Sequence, residues 1–347
     1  MKRMRFLADL ADSTQPTPQG NSDNPSHSST DTWLNQTGSY TDALYRILLH
    51  QKWTDLSHHM IAGMTASLFR LVVNRRLTTE SIWAYNWMAE NFVAADFIGV
   101  TASQSAGFSF EPTFPLYQKQ ALHDIKASID RGTGAVLWHD QFVVVVGYDD
   151  DKEVLFFCTG VGHEVIRLPY SVLGLNNSPY WYYQVLEAHQ SIDMWEVCKE
   201  SLIQAVYKWE THDYMLPAQD YACGSAAYTA IRDVLQSGNY ESDQAATVLR
   251  YYAYTRGDIA TYVKALKHLS PDMDQVIVQY TQLADIYTSI VEVLDDSVAW
   301  DAREPESVQR VSELIRSAGD TEQAAIDAIK YVFTETINNR SADIGLR

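Results

Sequence analysis

Residues 125–168 read IKASIDRGTGAVLWHDQFVVVVGYDDDKEVLFFCTGVGHEVIRL. Within them, 135–138 (AVLW) and 142–146 (FVVVV) are short apolar runs rich in β-branched side chains, the length and chemistry of strands. Gly147 and Tyr148 close the second run, and Asp149, Asp150, Asp151 and Lys152 make a polar turn into a third strand at 154–157 (VLFF). A glycine-flanked turn at 160–162 returns the chain into 165–168 (VIRL). Runs with so little alternation belong to strands covered on both faces, so this stretch predicts the central sheet of an α+β domain.

The chain before the sheet begins with a basic N-terminus, Met1-Lys2-Arg3-Met4-Arg5, followed by an apolar run too short and too charged for a signal peptide. Residues 10–32 are Ser, Thr, Pro, Asn, Asp and Gln with no apolar period, and 1–32 therefore read as a flexible tail. The pattern then predicts helices over 40–49, 61–73 and 79–92, a short strand at 98–100 and a loop over 103–117. A helix over 117–131 leads into the sheet, and the last strand is 180–186 (YWYYQVL). After residue 191 only helical periods remain: 192–209, 222–235, 243–254, 259–268, 272–294, 306–317 and 321–337. The clearest carries Met273, Val276, Tyr280, Leu283, Tyr287, Ile290 and Leu294 on one stripe, with Ser270 as its expected cap and Pro271 at its first position. Gly319 reads as a helix end, and Asp320 with Gln323 as the start of the next. The expected organisation is a tail (1–32), a sheet domain (33–190) and an all-α helical domain (191–347).

Composition narrows the function. A chain of 347 residues has room for one large or two ordinary domains. A formal charge of −18 argues against a nucleic-acid or anionic-membrane surface, because phosphate binding needs a concentrated positive face. The three cysteines, Cys158, Cys198 and Cys223, are odd in number and widely spaced, which suggests neither a disulfide framework nor a zinc pattern and fits a reducing cytoplasm. No uninterrupted apolar run approaches a membrane span.

The helix end Ile125-x-x-Ser128-Ile129-Asp130-x-Gly132, the strand after it and the run Phe142-Val143-Val144-Val145-Val146-Gly147-Tyr148-Asp149-Asp150 resemble the papain-like, C39-type peptidase fold. The resemblance is to the branch typified by the N-terminal domain of butirosin biosynthesis protein H. Residues 63–71 (GMTASLFRL) are similar to its first helix and 221–228 (YACGSAAY) to a small-residue helix of its C-terminal part, so that the likeness covers residues 40–290. It implies a papain-like domain with a central antiparallel sheet followed by a helical domain. It also implies a place in bacterial natural-product or peptide metabolism, with a cleft that takes a small molecule, a peptide or an acyl carrier protein. Two readings follow: a non-catalytic member, a pseudoenzyme that keeps the degenerate cleft for binding, or alternatively an acyltransferase that moves an aminoacyl group from a carrier-protein thioester to an amine.

A papain-like enzyme sets a thiolate at the head of the first buried helix, a histidine at the start of the second sheet strand and an Asp or Asn to orient it. No cysteine precedes residue 158, Gln141 stands where the resemblance places the histidine, and the acid position falls near Thr159. Cysteine-protease activity is therefore not expected. The candidates near the nucleophile are Ser57, Gly63, Thr65 and Ser67, and His139, two residues before Gln141 on the same strand face, is the candidate base. Cys223-Gly224-Ser225-Ala226 has alanine where the papain run has its nucleophile, and its small residues suit a tight helix contact. No metal or cofactor site is expected. His58 and His59 are adjacent and diverge on a helix, Asp149–Asp151 lack the glycine and later glutamate of a calcium loop, and no glycine-rich phosphate loop is present.

Overall fold

All eight residues of Phe142–Asp149 are buried, and their backbone groups are paired on both sides. In this computed structural model, which describes residues 3–12, 39–159, 162 and 164–334, that strand lies in a seven-stranded sheet. Its strands are β1 (Met4–Phe6), β2 (Val100–Phe108), β3 (Ala135–Trp138), β4 (Phe142–Asp149), β5 (Val154–Thr159), β6 (Ile166–Pro169) and β7 (Tyr180–His189). The order is β2-β7-β3-β4-β5-β6, every pairing is antiparallel, and β1 joins the far end of β4 through Met4 opposite Asp149 and Phe6 opposite Gly147. Helices accompany the sheet: α1 (Ala8–Asp12), α2 (Tyr40–His50), α3 (His58–Met64), α4 (Trp87–Phe97) and α5 (Phe114–Arg131). The protein is thus a mixed α/β structure with an antiparallel sheet.

The chain divides into two units, Met1–Ile61 with Trp87–Ser191, and Ala62–Asn86 with Ile192–Arg347. The division is not a single cut near residue 190, because 62–86 cluster with the helices. That insertion supplies a strand, Val72–Asn74, which pairs antiparallel with Tyr221–Cys223. Around this ribbon the second unit contains α6 (Met194–Glu210), α7 (Ser225–Ser237), α8 (Ser242–Ala265), α9 (Asp274–Asp295), α10 (Ser297–Asp301) and α11 (Pro305–Val332).

Several expectations change, each because tertiary contacts override a local signal. The loop expected over 103–117 is strand β2 as far as Phe108, then helix α5 from Phe114; VTASQSAGF has no apolar alternation and is held extended by β7 along its length. The expected N-terminal tail is in part ordered, since β1 pairs with β4 and Leu10 of α1 is buried, whereas 13–38 lie outside the described residues. The helix expected over 61–73 ends at Met64, followed by a 3₁₀ turn at Ser67–Phe69 and the ribbon strand. The helix expected over 79–92 is a 3₁₀ turn, Thr79–Trp83, and then α4. Residues 243–254 and 259–268 belong mostly to the single helix α8, and 306–317 and 321–332 to the single helix α11. Gly319 does not end a helix there. It sits mid-helix beneath the Tyr228 ring, where an added Cβ would fall 3.1 Å from Cγ. Ser270 gives no side-chain cap, and α9 starts at Asp274, although the stripe from Met273 to Leu294 is buried as its period requires.

The second unit's core holds a fully buried ion pair. Arg256 Nη2 lies 2.9 Å from Glu322 Oε1 and 3.0 Å from Oε2, the Tyr228 hydroxyl donates to the same carboxylate, and Tyr287 donates to Tyr228 at 3.3 Å. Removing one member strands the other charge out of water. Glu322→Ala is expected to destabilise the helical unit by about 3–5 kcal/mol in urea denaturation. Gly63 is equally constrained, because an ideal Cβ there would penetrate the Tyr262 ring. Gly63→Ala should cost about 1–3 kcal/mol by overpacking, measured in the same way.

Candidate functional site

Helix α2 is buried at every residue from Tyr40 to Leu48, which makes it the deeply buried helix ahead of the sheet; the sequence had pointed to 61–73 for that role. Its head is a capping box. Asp42 N donates to Ser39 Oγ at 3.1 Å, and Ser39 N donates to Asp42 Oδ2 at 3.1 Å. The other carboxylate oxygen of Asp42 takes His58 Nε2 at 2.9 Å. The His58 ring packs edge-on against Tyr45, whose hydroxyl donates to Leu56 O at 3.0 Å, so the segment 56–59 is fastened to the helix head at three points. Burial alone would raise the Asp42 pKa, but the hydrogen bond and charge of His58 and the bonds from Ser39 outweigh it and hold the carboxyl below the ordinary aspartate value.

Beside this anchor, Ser57 Oγ lies 3.0 Å from His59 Nε2. Burial, followed by the neighbouring His58 charge, lowers the His59 pKa from the ordinary 6.5, which favours the neutral ring; in the tautomer that carries its proton on Nδ1, Nε2 accepts from the serine hydroxyl. Among the described residues no carboxylate bonds the other ring nitrogen of His59.

The remaining candidates stand elsewhere. His139 is half-buried in the three-residue turn between β3 and β4, and its Nδ1 is 3.3 Å from Asn176 Oδ1. Its ring meets Phe157 edge-on, and it bonds none of the three candidate hydroxyls. Asp140, at φ +57°, accepts Asn177 N at 2.9 Å and Asn177 Nδ2 at 2.8 Å, which ties the turn to the 176–177 loop. Gln141 is half-buried, and its carbonyl accepts His139 N at 2.8 Å. Thr65 and Ser67 belong to the second unit and close a turn: their hydroxyls are 3.1 Å apart and each donates to Ala62 O at 3.0 Å. Gly63 lies under Tyr262.

The three thiols are all buried. Burial pushes Cys158 up, with Arg46 opposing, and raises Cys198 to about 11, so neither is a thiolate at neutral pH. Cys223 ends the ribbon strand, and Gly224 after it turns at φ +56° against the Trp209 carbonyl, which forbids a side chain there. Among the described residues no three His, Cys, Asp or Glu side chains converge as a metal ion requires, and no helix is long and apolar enough to cross a membrane. No family model and no curated protein matches this chain.

Sequence reading singled out Ser57 but paired it with His139, and it missed Asp42, His59 as the partner, and Asn176. The Ser39-x-x-Asp42 spacing was a readable capping signal. The Asn176 contact spans 37 residues and leaves no local trace. The Asp42 pair makes a pH-dependent contribution to the first unit's stability. A folded-state pKa below the unfolded one stabilises fully above about pH 3.8 and is lost as the pH falls through the lower folded value. Asp42→Ala should therefore cost about 3–5 kcal/mol at pH 7, with the gap to wild type closing below pH 4 in denaturation experiments run across pH.

Proposed function

We propose that this chain is a non-peptidase relative of the butirosin H-like papain-fold family, and that it transfers an aminoacyl group from a carrier-protein thioester to an amine in bacterial natural-product metabolism. The observation that supports this reading is the 3.0 Å contact between Ser57 Oγ and His59 Nε2 beside the head of the buried helix. In the proposed reaction Ser57 Oγ attacks the thioester carbonyl while its proton passes to His59 Nε2. The C–S bond breaks, and the leaving thiolate takes that proton. The acceptor amine then attacks the seryl ester, His59 takes the amine's proton and returns it to Ser57 Oγ, and an amide is released. The antiparallel sheet, with a buried helix ahead of it and a helical unit after it, agrees with the papain-like resemblance.

A second reading is favoured by one observation: Asp42, the carboxylate at the helix head, is bonded to His58 and leaves His59 without an acid to orient it. On that reading the cleft binds a small molecule, a peptide or an acyl carrier without turnover.

A fluorophosphonate probe followed by peptide mapping, with an aminoacyl N-acetylcysteamine thioester and an amine acceptor as substrates, separates the two. Acyl transfer requires labelling at Ser57 that is lost in His59→Ala and kept in His139→Ala. Its rate should rise with pH through an inflection below 6.5, and His58→Gln should move that inflection upward by removing a neighbouring charge. Saturable thioester binding with no label at Ser57 and no product would establish the binding reading instead.

A further inference from the structure

Strand β2 forms one edge of the sheet, and among the described residues nothing pairs with its outer side. Exposed sheet edges are ordinarily blunted by Lys, Pro, bulges or short length. β2 has nine residues with no proline and no charge, and its single irregularity lies at Thr101/Ala102, leaving Ala102 to Phe108 in regular register with β7. Apolar side chains crowd one end and flank of this edge. Phe110, 68% exposed, stacks on Phe108 at 5.2 Å, and Phe108 meets Tyr180 at 5.3 Å. Tyr180 in turn meets Trp87 at 6.0 Å. Helix α4 is tied to β2 where Gln104 Nε2 donates to Met88 O at 2.6 Å, and it presents exposed Met88 and, one turn on, Phe92. An apolar surface of this extent beside an open strand edge is the feature of a strand-addition site.

The charge around it selects the occupant. From Trp87 to Gln118, within the unit that carries this edge, the sequence contains no Lys, Arg or His, but carries Glu90, Asp96 and Glu111, of which Asp96 and Glu111 are exposed. A second copy of this chain, at −18, would bring like charge to an already anionic rim. We infer that the outer edge of β2 takes an extended, basic peptide segment of a partner protein, added as a further strand, with its apolar side chains on the aromatic row at Phe108, Phe110 and Tyr180. This surface is independent of the acyl-transfer reading above.

The test uses the full chain and an N-acetylated, C-amidated nonapeptide alternating lysine with valine or phenylalanine. Fluorescence anisotropy should give saturable binding, and hydrogen exchange should gain protection at 100–108. A probe of the same sequence with alternate backbone amides N-methylated keeps charge and composition but loses the donors of a strand. It should bind at least about tenfold more weakly, as should wild-type probe to Phe110→Ala. The double change Asp96→Lys with Glu111→Lys should weaken binding and flatten its salt dependence. Equal affinity for the N-methylated probe, equal affinity for a glutamate-for-lysine probe, or protection confined to residues outside 100–108 would overturn the inference. Concentration-dependent dimerisation that buries 100–108 without peptide would assign the edge to a second copy and overturn it as well.

Discussion

Burial of β4 is the constraint on which the first unit depends. Eight successive residues are removed from water, and a buried N–H or C=O without a partner costs as much as a lost hydrogen bond. The strand therefore needs a neighbour on each side along its whole length. β5 supplies one side, and the other is shared: β3 pairs with Phe142 to Val145, and β1 takes over from Gly147 to Asp149. The short β3 leaves a gap that, among the described residues, β1 fills, which is why the N-terminal segment begins as a strand. Gly147 marks the handover. A Cβ there would press on the Arg5 carbonyl and the Phe6 ring, so the glycine is what lets β1 approach.

The same constraint explains what could be read from the sequence. β3, β4, β5 and β7 are buried apolar runs, and burial is what apolar composition reports. β2 is held by its hydrogen bonds to β7, and its middle residues, Ala102 to Gly107, are small or polar and at least partly exposed, so nothing in its composition marks it. Interior glycines mislead for a related reason. Gly319 looks like a stop, yet it is present because the Tyr228 ring occupies the space a side chain would fill. Of the site, the hydroxyl at Ser57 was legible as a residue type in a suggestive place, but its partner depends on a turn geometry two residues long. The Asn176 contact to His139 depends on the loop before β7 folding back over the β3–β4 turn.

In the second unit the corresponding constraint is electrostatic. Arg256 and Glu322 sit on α8 and α11, 66 residues apart, with side-chain exposures of 0% and 3%. Burial would pull the guanidinium down, but Glu322 holds it well above its ordinary value, so Arg256 stays charged. Such a pair adds little net stability over an apolar replacement, because desolvation offsets the attraction. It does discriminate between packings: any register of α11 that moves Glu322 away from Arg256 leaves two buried charges unpaired. Tyr228 and Tyr287 extend that requirement to α7 and α9, so one ionic contact sets the relative register of four helices.

Asp42 plays the matching part in the first unit, and through His58 it bears on the surroundings of Ser57 and His59. A carboxylate that accepts from the cap backbone and from an imidazole at once fixes the 56–59 segment against α2, and that position brings Ser57 and His59 together. Burial, and then the coulombic effect of the neighbouring His58, disfavour a positive charge on His59. Two adjacent histidines thus have opposed environments: one is paired with an acid and holds the fold, while the other is biased toward its neutral form with a hydroxyl in reach. Separating the roles of neighbouring titratable groups by environment is how a site obtains a base at neutral pH. In this chain the separation follows from which ring the buried carboxylate can touch.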